Sequence, residues 1–554
     1  MTPANKPGDG ASQGPQDPAA DLAAKGIDPD LIPYLLAADA DEEDDGMDAP
    51  EVDAESEQLE ALRALVESSM LVGDDPELLA ELSTQTAQQQ AEDDERARQD
   101  VLDRAAEDAA ARQQLNALTA DLFQRTPEHD IDPSLERIRQ LMDILGDPQD
   151  ATPTVQVAGT NGKTSTARII DSLLTAFCLR VGRFTSPHLR DVRERVTIDG
   201  QPLTPAEFVA AWEDIAPYVE MVDAGAGPNL SFFELLTALA YAAFADYPVD
   251  AAVIECGMGG TWDATNVVNA GVAVITSISL DHQQWLGADL QQIAAEKAGI
   301  IKDRTIVICQ KQTPEVEAII KARCEATDSV LFLEGRDWQV AGSQPIEAGQ
   351  LVSIQTPNAL YQDLFVPLRG EHQAHNAAAG LTAVEALLSR GALSPSLVEQ
   401  GFQAVRSPGR LELVRKSPQV LVDAAHNPAG AASLRRALED VFDFEFTVGL
   451  FSAMGDKSVE EMLVELEPVL DELVVTQMAG PRAMSLDDLQ ELAEDVFGPD
   501  RVRAHADLAE ALDAAAELLD RASSVEAAKA IIAFGSVVLA GDVTALLAPD
   551  RQIG

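Results

Sequence analysis

The sequence predicts an α/β protein with two mostly parallel sheets behind an acidic amino-terminal extension. Three observations carry this. Short β-branched runs alternate with helix-length stretches from about residue 113 onward, the pattern of strand–helix–strand units. One such run, VQVAGTNGKTSTARIID at 155–171, passes through a glycine-bearing turn into a helix start. Residues 1–112 hold 30 Asp and Glu against 7 Lys and Arg, a composition unlike the rest.

The extension contains the run DADEEDDGMD (39–48) and one aromatic residue, Tyr34. Such a segment buries too little apolar area to offset its ordering entropy, so most of it is expected to be disordered. It is then dispensable for folding and turnover. Stretches 57–72 and 93–118 have helical spacing and suit exposed or transient helices. A solvating tail and a docking arm both fit the composition. From 113 to 406, TPTVQVAG, DAAVIEC, GVAVITSI and RTIVICQ read as buried parallel strands, with helices such as SFFELLTALAYAAFAD between them. The turn signal RSPGR at 406–410 introduces a second block, 407–554, with strands QVLVDAA, FEFTVGLFS, ELVVTQM and AIIAFGS. Two α/β domains with a hinge near Ser407–Gly409 follow from this pattern. Ligands then belong at strand carboxyl ends and in the cleft between domains.

Composition excludes some partners. The formal net charge of −55, from 94 acidic and 39 basic residues, argues against nucleic acid, whose phosphates need basic stripes. Cys178, Cys256, Cys309 and Cys324 form no CxxC pair and match no zinc spacing, so reduced thiols are expected. No run of about 18 apolar residues suggests a membrane span. The start, MTPANKPGDGASQGPQDP, lacks the basic-then-apolar order of a secretory signal. A soluble cytoplasmic protein without membrane contact is expected.

Chemistry concentrates in a few stretches. In Gly159-Thr160-Asn161-Gly162-Lys163-Thr164-Ser165 the glycines let backbone amides approach phosphate oxygens. Lys163 supplies a point charge, and a hydroxyl can reach magnesium. The preceding strand and following helix are the context a phosphate loop requires; a structural turn is the bland alternative. Phe184-Thr185-Ser186-Pro187-His188-Leu189, followed by Arg193, Glu194 and Arg195, is a proline-stiffened loop that alone reads equally as a turn. Glu255 ends a strand and opens ECGMGGTWDATN, whose glycines permit close approach to a ligand, with Asp263 and Asn266 behind them. A phosphate-loop enzyme places a magnesium ligand or a water-orienting base at such a strand end. Asp281-His282 closes the next strand, so Glu255 and His282 are expected on adjacent strand ends beside the loop.

Taken in order, GTNGKTS, TSPHL with its following Arg193-Glu194-Arg195, ECGMGGTWDATN, DHQQWLG, EKAGIIK (296–302), GEHQAHNA (370–377), SPGRLE (407–412) and DAAHNPAG (423–430) resemble the folylpolyglutamate synthase/dihydrofolate synthase family. That family belongs to the Mur-type ATP-dependent amide ligases. The likeness runs from about residue 115, where PSLERIRQLMDILGDPQ is similar to the family's first helix, to about 548. The acidic extension has no counterpart.

The resemblance implies a phosphate-loop, ATPase-like domain (113–406) followed by a smaller Rossmann-like glutamate-ligase domain (407–554). It also implies roles. Thr160, Asn161, Gly162, Lys163, Thr164 and Ser165 would surround the ATP phosphates, and Asn376, Arg410 and Asp423 would contact ATP. Ser186, Glu255 and His282 would ligate magnesium, with a monovalent cation as a further ion. Lys297 corresponds to a lysine carbamylated in the family, a change that turns an ammonium into a carboxylate-like metal ligand. Unmodified, it reads as an ordinary surface cation. His426, Asp423 and Ser536 fall, with Lys163 and Lys297, on positions needed for activity. Ser231, Phe232, Phe233 and Glu234 with Trp262, Asp263 and Ala264 would form the pteroate or folate pocket, where aromatic faces pack on a flat heterocycle. Two departures stand out. Thr261 replaces the family's usual arginine, and GKT replaces the commoner GKG, which brings the loop closer to cell-wall Mur ligases.

The implied reaction transfers the ATP γ-phosphoryl group to a carboxylate of dihydropteroate or a reduced folate. The amine of L-glutamate then attacks the acyl phosphate, in a protein expected to be a monomer. Three rivals share parts of this pattern: a cell-wall ligase acting on a UDP-sugar peptide, a phosphate-loop NTPase of another class, and a non-catalytic protein built around the acidic arm. The TSPHL and GGTWDATN stretches argue against the first, and intact Lys163, Glu255, His282 and His426 against the last.

Overall fold

In the computed structural model, residues 96, 98–99, 104–127, 132–225, 227–388, 391–521 and 528–549 are described. The acidic run at 39–48 and the helical stretch at 57–72 lie outside the described residues. Asp103–Gly554 form one compact unit.

The first sheet has eight strands: β1 Thr154–Ala158, β2 Val181–Phe184, β3 Val196–Ile198, β4 Gln201–Pro202, β5 Ala251–Glu255, β6 Val272–Ile275, β7 Ile306–Cys309 and β8 Val330–Leu333. Their order is β4-β3-β2-β5-β1-β6-β7-β8, parallel from β2 to β8, with β3 and β4 antiparallel at one edge. β1, β5 and β6 are buried along their whole length, as strands covered on both faces by helices must be. The Lys163–Ala176 and Glu371–Leu388 helices pack one face through Ile169, Leu173, Ala377 and Leu381. The Phe232–Asp246 helix, apolar nearly all round, packs the other side with Phe184 and Ile254.

A three-stranded antiparallel sheet follows: β9 Gln339–Ile346, β10 Gly349–Gln355 and β11 Leu360–Val366. The sequence reading did not anticipate it. Val352, Ile354, Leu364 and Val366 join the core cluster of the Glu371–Leu388 helix, while Ser353, Gln355, Gln362 and Asp363 lie on the less buried face. A search for continuous apolar runs passes over such half-buried strands.

The last sheet contains β12 Glu412–Lys416, β13 Gln419–Val422, β14 Phe446–Phe451, β15 Glu472–Thr476, β16 Val502–His505 and β17 Lys529–Phe534. The order is β12-β13-β17-β14-β15-β16, parallel except for edge strand β12. All eight strands named from the sequence are therefore present, and the short strands β2, β8 and β16 add to them.

The helix at 104–122 runs straight through residue 112, so the expected edge of the extension falls inside an element. Ala111, Leu115 and Leu122 are buried, and Leu115 and Leu122 join the core cluster that contains Phe208 and Leu236. No helix among the described residues is long and apolar enough to cross a membrane. Buried leucines cost about 2–5 kcal/mol when truncated to alanine. A chain starting at residue 124 should therefore melt several degrees below one starting at 104 in parallel thermal scans. Equal melting temperatures would show that the 104–122 helix adds nothing to the core.

Candidate active site

Three strand ends of the first sheet meet at one crevice. β1 lies between β5 and β6, the point where the chain's connections diverge and where open parallel sheets bind ligands. Gly159 presses the chain against β6; a Cβ there would lie 1.8 Å from Thr276 Oγ1. Thr160 N donates to Ser277 O at 2.8 Å and Thr160 Oγ1 to Ser279 O at 3.0 Å, which ties the loop to the segment after β6. Gly162 has φ 86°, and a Cβ there would lie 2.6 Å from Asn376 Oδ1. The helix begins at Lys163, so its unpaired first N–H groups and its dipole face the loop. Lys163 Nζ donates to Thr160 O at 3.1 Å.

Glu255, at the end of β5, accepts from Thr164 Oγ1 at 2.8 Å and from Ser186 N at 3.2 Å. Burial raises its carboxyl against the charge of Lys163. Because β1 separates β5 from β6, Glu255 and His282 do not stand on adjacent strands as expected. They flank the phosphate loop from opposite sides, since strand order in space does not follow strand order in sequence. His282 is held in the left-handed region at φ 51°, its N–H donating to Asp281 Oδ1 at 2.9 Å. Burial pushes its imidazole down to about 3 despite the neighbouring Asp281, so the ring is neutral, the form that binds metals.

Ser186 N donates to Glu255, so this serine's hydroxyl and this buried carboxylate lie together and offer the oxygen donors that magnesium takes, with His282 on the other side of the loop. That ion keeps several waters and bridges to substrate phosphates instead of needing an all-protein cage. No three His, Cys, Asp or Glu side chains converge as a metal cluster among the described residues. Lys297 is not on the surface: it is 4% exposed, and its Nζ donates to Gly159 O at 2.7 Å. Burial, and then the charge of Lys163, bring its ammonium down to about 7. Thr261 N and Oγ1 both donate to Glu296 O, at 3.0 and 3.1 Å, so this threonine secures the turn that carries Lys297.

A second set of side chains links the loop to the linker between the sheets. Gln310 Nε2 donates to Asn376 Oδ1 at 3.0 Å, Asn376 Nδ2 to Gln373 Oε1 at 3.0 Å, and Gln373 Nε2 to Ser165 Oγ at 3.3 Å. Ser165 Oγ lies 3.0 Å from Ser407 Oγ. Asp423, beyond β13, accepts from Leu411 N and Ala425 N, both at 2.8 Å, and so fixes the backbone around Arg410. Burial raises its carboxyl, opposed first by the Arg410 charge.

Asp281 joins the two sheets. It accepts from Lys457 Nζ at 2.8 Å and from Asn427 Nδ2 at 3.0 Å, with His426 Nε2 at 3.6 Å. Burial alone would raise this carboxyl; His426, His282 and Lys457 outweigh it and hold it well below the usual carboxylate range. His426 Nδ1 lies 2.9 Å from Ala424 O, and since a carbonyl only accepts, Nδ1 carries the hydrogen. Ser536 caps the Val537–Leu547 helix, its Oγ accepting from Val538 N at 3.0 Å.

A cavity of about 1000 Å³ lies between the segments that follow β2, β5 and β6 and the loops of the second sheet. Ser231, Phe233, Glu234, Trp262, Asp263 and Ala264 line one side, Ser186 and His282 the middle, and His426, Lys457 and Ser536 the other. Phe232 alone of the expected pocket residues turns into the core, stacked on Phe123 at 5.0 Å with Arg195 5.2 Å from its ring centre. Ser231 and Glu234 form a capping box, and Glu234 also accepts from Arg137 Nε at 3.2 Å. Asp263 is committed to its own loop, accepting from Met258 N at 2.8 Å and Thr265 N at 3.0 Å. The sequence reading passed over Arg137, Gln310, Gln373, Asn427 and Lys457. Asn427 and Gln373 sit inside quoted motifs, Arg137 in the quoted first-helix stretch and Gln310 at the end of a quoted strand, while Lys457 lies in none.

Residues 219–384 match the Mur ligase middle domain and residues 409–536 the Mur ligase glutamate ligase domain. The chain is 48% identical over 454 residues to the dihydrofolate synthase/folylpolyglutamate synthase of Mycobacterium tuberculosis, covering 78% of this chain and 93% of that one. It belongs to the dihydrofolate synthase/folylpolyglutamate synthase family. A Bacillus subtilis member of that family is 34% identical over 367 residues, covering 66% of this chain and 85% of the relative. Among solved structures, M. tuberculosis folylpolyglutamate synthase complexed with ADP and AMPPCP matches with a TM-score of 0.77 at 46% identity, over 80% of this chain and all of that one. Escherichia coli FolC in complex with DHPP and ADP matches with a TM-score of 0.69 at 29% identity, over 79% and 98%. The two Mur ligase matches span residues 219–384 and 409–536, so residues 1–112 lie outside both.

Proposed function

We propose that this chain joins L-glutamate to dihydropteroate, to reduced folates, or to both, converting ATP to ADP and phosphate. One observation supports this most directly: a single cavity joins an aromatic-walled acceptor site, the segments that follow β5 and β6, and the His426–Ser536 side of the second sheet, with the phosphate loop held against its wall by Asn161–Asn427. A free carboxylate is a poor electrophile for amide formation. Transfer of the γ-phosphoryl group gives an acyl phosphate, the glutamate amine adds to its carbonyl carbon, and the tetrahedral adduct expels phosphate as the amide forms.

The chain's own groups have definite tasks in that sequence. The loop amides, the helix start and Lys163 hold the phosphates and offset their charge. The cavity walls place acceptor and glutamate within reach and limit water, the competing nucleophile. A magnesium ion held by Ser186, Glu255 and His282 would neutralise charge on the phosphoryl group in flight. The buried Lys297 amine, neutral in part near pH 7, suits addition to carbon dioxide with loss of a proton, which replaces an ammonium by a carboxylate-like carbamate.

Phosphate release measured with dihydropteroate and with tetrahydrofolate, each with and without L-glutamate, tests the reading. Release should need ATP, an acceptor and glutamate together, and Lys163→Ala should abolish it. Release that needs no amino acid would instead indicate a simple NTPase. Intact mass of the native protein should show a carbamate on Lys297. Lys297→Ala should lose most activity, part of it returning with a short carboxylic acid; normal turnover in that variant without additive would end the carbamate role.

A further inference from the structure

Asn161 belongs to the phosphate loop by sequence, yet its side chain is engaged across the cleft. Asn427 Nδ2 donates to Asn161 Oδ1 at 3.1 Å, and Asn161 Nδ2 donates to Asn427 Oδ1 at 3.3 Å, a reciprocal amide pair. Asn427 is 2% exposed and starts the Pro428–Val441 helix, its Oδ1 also accepting from Gly430 N at 2.8 Å. Its remaining hydrogen goes to Asp281 Oδ2 at 3.0 Å. All four hydrogen-bonding positions of this amide are filled, two by Asn161, one by Asp281 and one by its own helix. His426 is the preceding residue.

We infer that Asn161 is a cross-cleft positioning residue. It keys the turn bearing His426 to the phosphate loop, so that the glutamate side of the cleft aligns with the loop where the phosphoryl group is held. The inference rests on the proposed ligase reaction for its kinetic consequences, but the contact itself does not. Three features argue for alignment over nucleotide binding. The helix starts at Lys163, so its first N–H groups and that lysine are available to a phosphate without help from this side chain. The Asn161 amide has both ends on protein groups, Asn427 and Ser279, the latter at 3.4 Å. Asp281, which shares Asn427, also takes Lys457 from the same side of the cleft, so the pair forms one corner of a multi-point contact. A loop that must recognise phosphate with its backbone has its side chains free for such a task.

The test separates nucleotide affinity from alignment. Asn161→Ala should bind ADP within about 3-fold of wild type by titration calorimetry, since backbone amides are kept. Its kcat/KM for glutamate should fall about 10- to 30-fold, the loss expected for two buried amide hydrogen bonds. Phosphate released per amide bond formed should rise, because a misaligned acyl phosphate is taken by water. Asn427→Asp keeps the helix cap but loses both amide donors, and should reproduce these changes. The double variant should be no worse than either single one, and a double-mutant cycle on thermal stability should show the same non-additivity without any need for catalysis. Additive stability losses, or a tenfold loss of ADP affinity in Asn161→Ala, would overturn the inference. If wild type forms no amide bond, the ligase reading fails, while calorimetry and the stability cycle still decide the role of Asn161.

Discussion

The Asp281 carboxylate is the constraint around which the site is built. One buried side chain follows the central part of the first sheet and takes Lys457, Asn427 and the His426 ring from the second. Lys457 and Asp281 are both only 8% exposed at their side chains. Removing either partner would leave an uncompensated buried charge, a loss on the order of 3–5 kcal/mol. Two sheets that each end in reactive side chains are of no use apart. This carboxylate, with the polar chain through Asn376, Gln373, Ser165 and Ser407, makes their strand ends one site.

Charge compensation explains much of the surrounding chemistry. Lys163, Lys297 and Lys457 all lie near the cleft, while Glu255 is buried with neutral donors on both oxygens. Burial and then the charge of Lys163 bring the Lys297 ammonium down to about 7, and burial brings the His282 imidazole down to about 3. The glycines of the phosphate loop act by geometry, since side chains at 159 or 162 would collide with Thr276 or Asn376.

What the sequence made legible follows from what is local. Strand–loop–helix order, the loop glycines and the motif residues are encoded within a few positions, and all eight named strands formed where expected. Spatial neighbours are not local. Nothing in the sequence says that β1 separates β5 from β6, so Glu255 and His282 were misplaced as neighbours. The amphipathic β9–β11 sheet was missed because half-buried strands lack continuous apolar runs. The family resemblance puts Phe232 and Phe233 in the pocket together, but adjacent residues on a helix point about 100° apart, and Phe232 packs in the core. Lys297 showed the reverse: its burial could not be read from EKAGIIK, because Gly159, which it contacts, is far away in the chain.

In the proposed reaction, phosphoryl transfer to the acceptor's carboxylate is the step that joins the two halves of the cleft. Dihydropteroate labelled with oxygen-18 in its carboxylate tests that step directly, with the phosphate product read by mass spectrometry. One labelled oxygen should appear in the inorganic phosphate for each amide bond formed. Unlabelled phosphate released alongside amide would contradict an acyl phosphate and, with it, the reason for bringing these strand ends together.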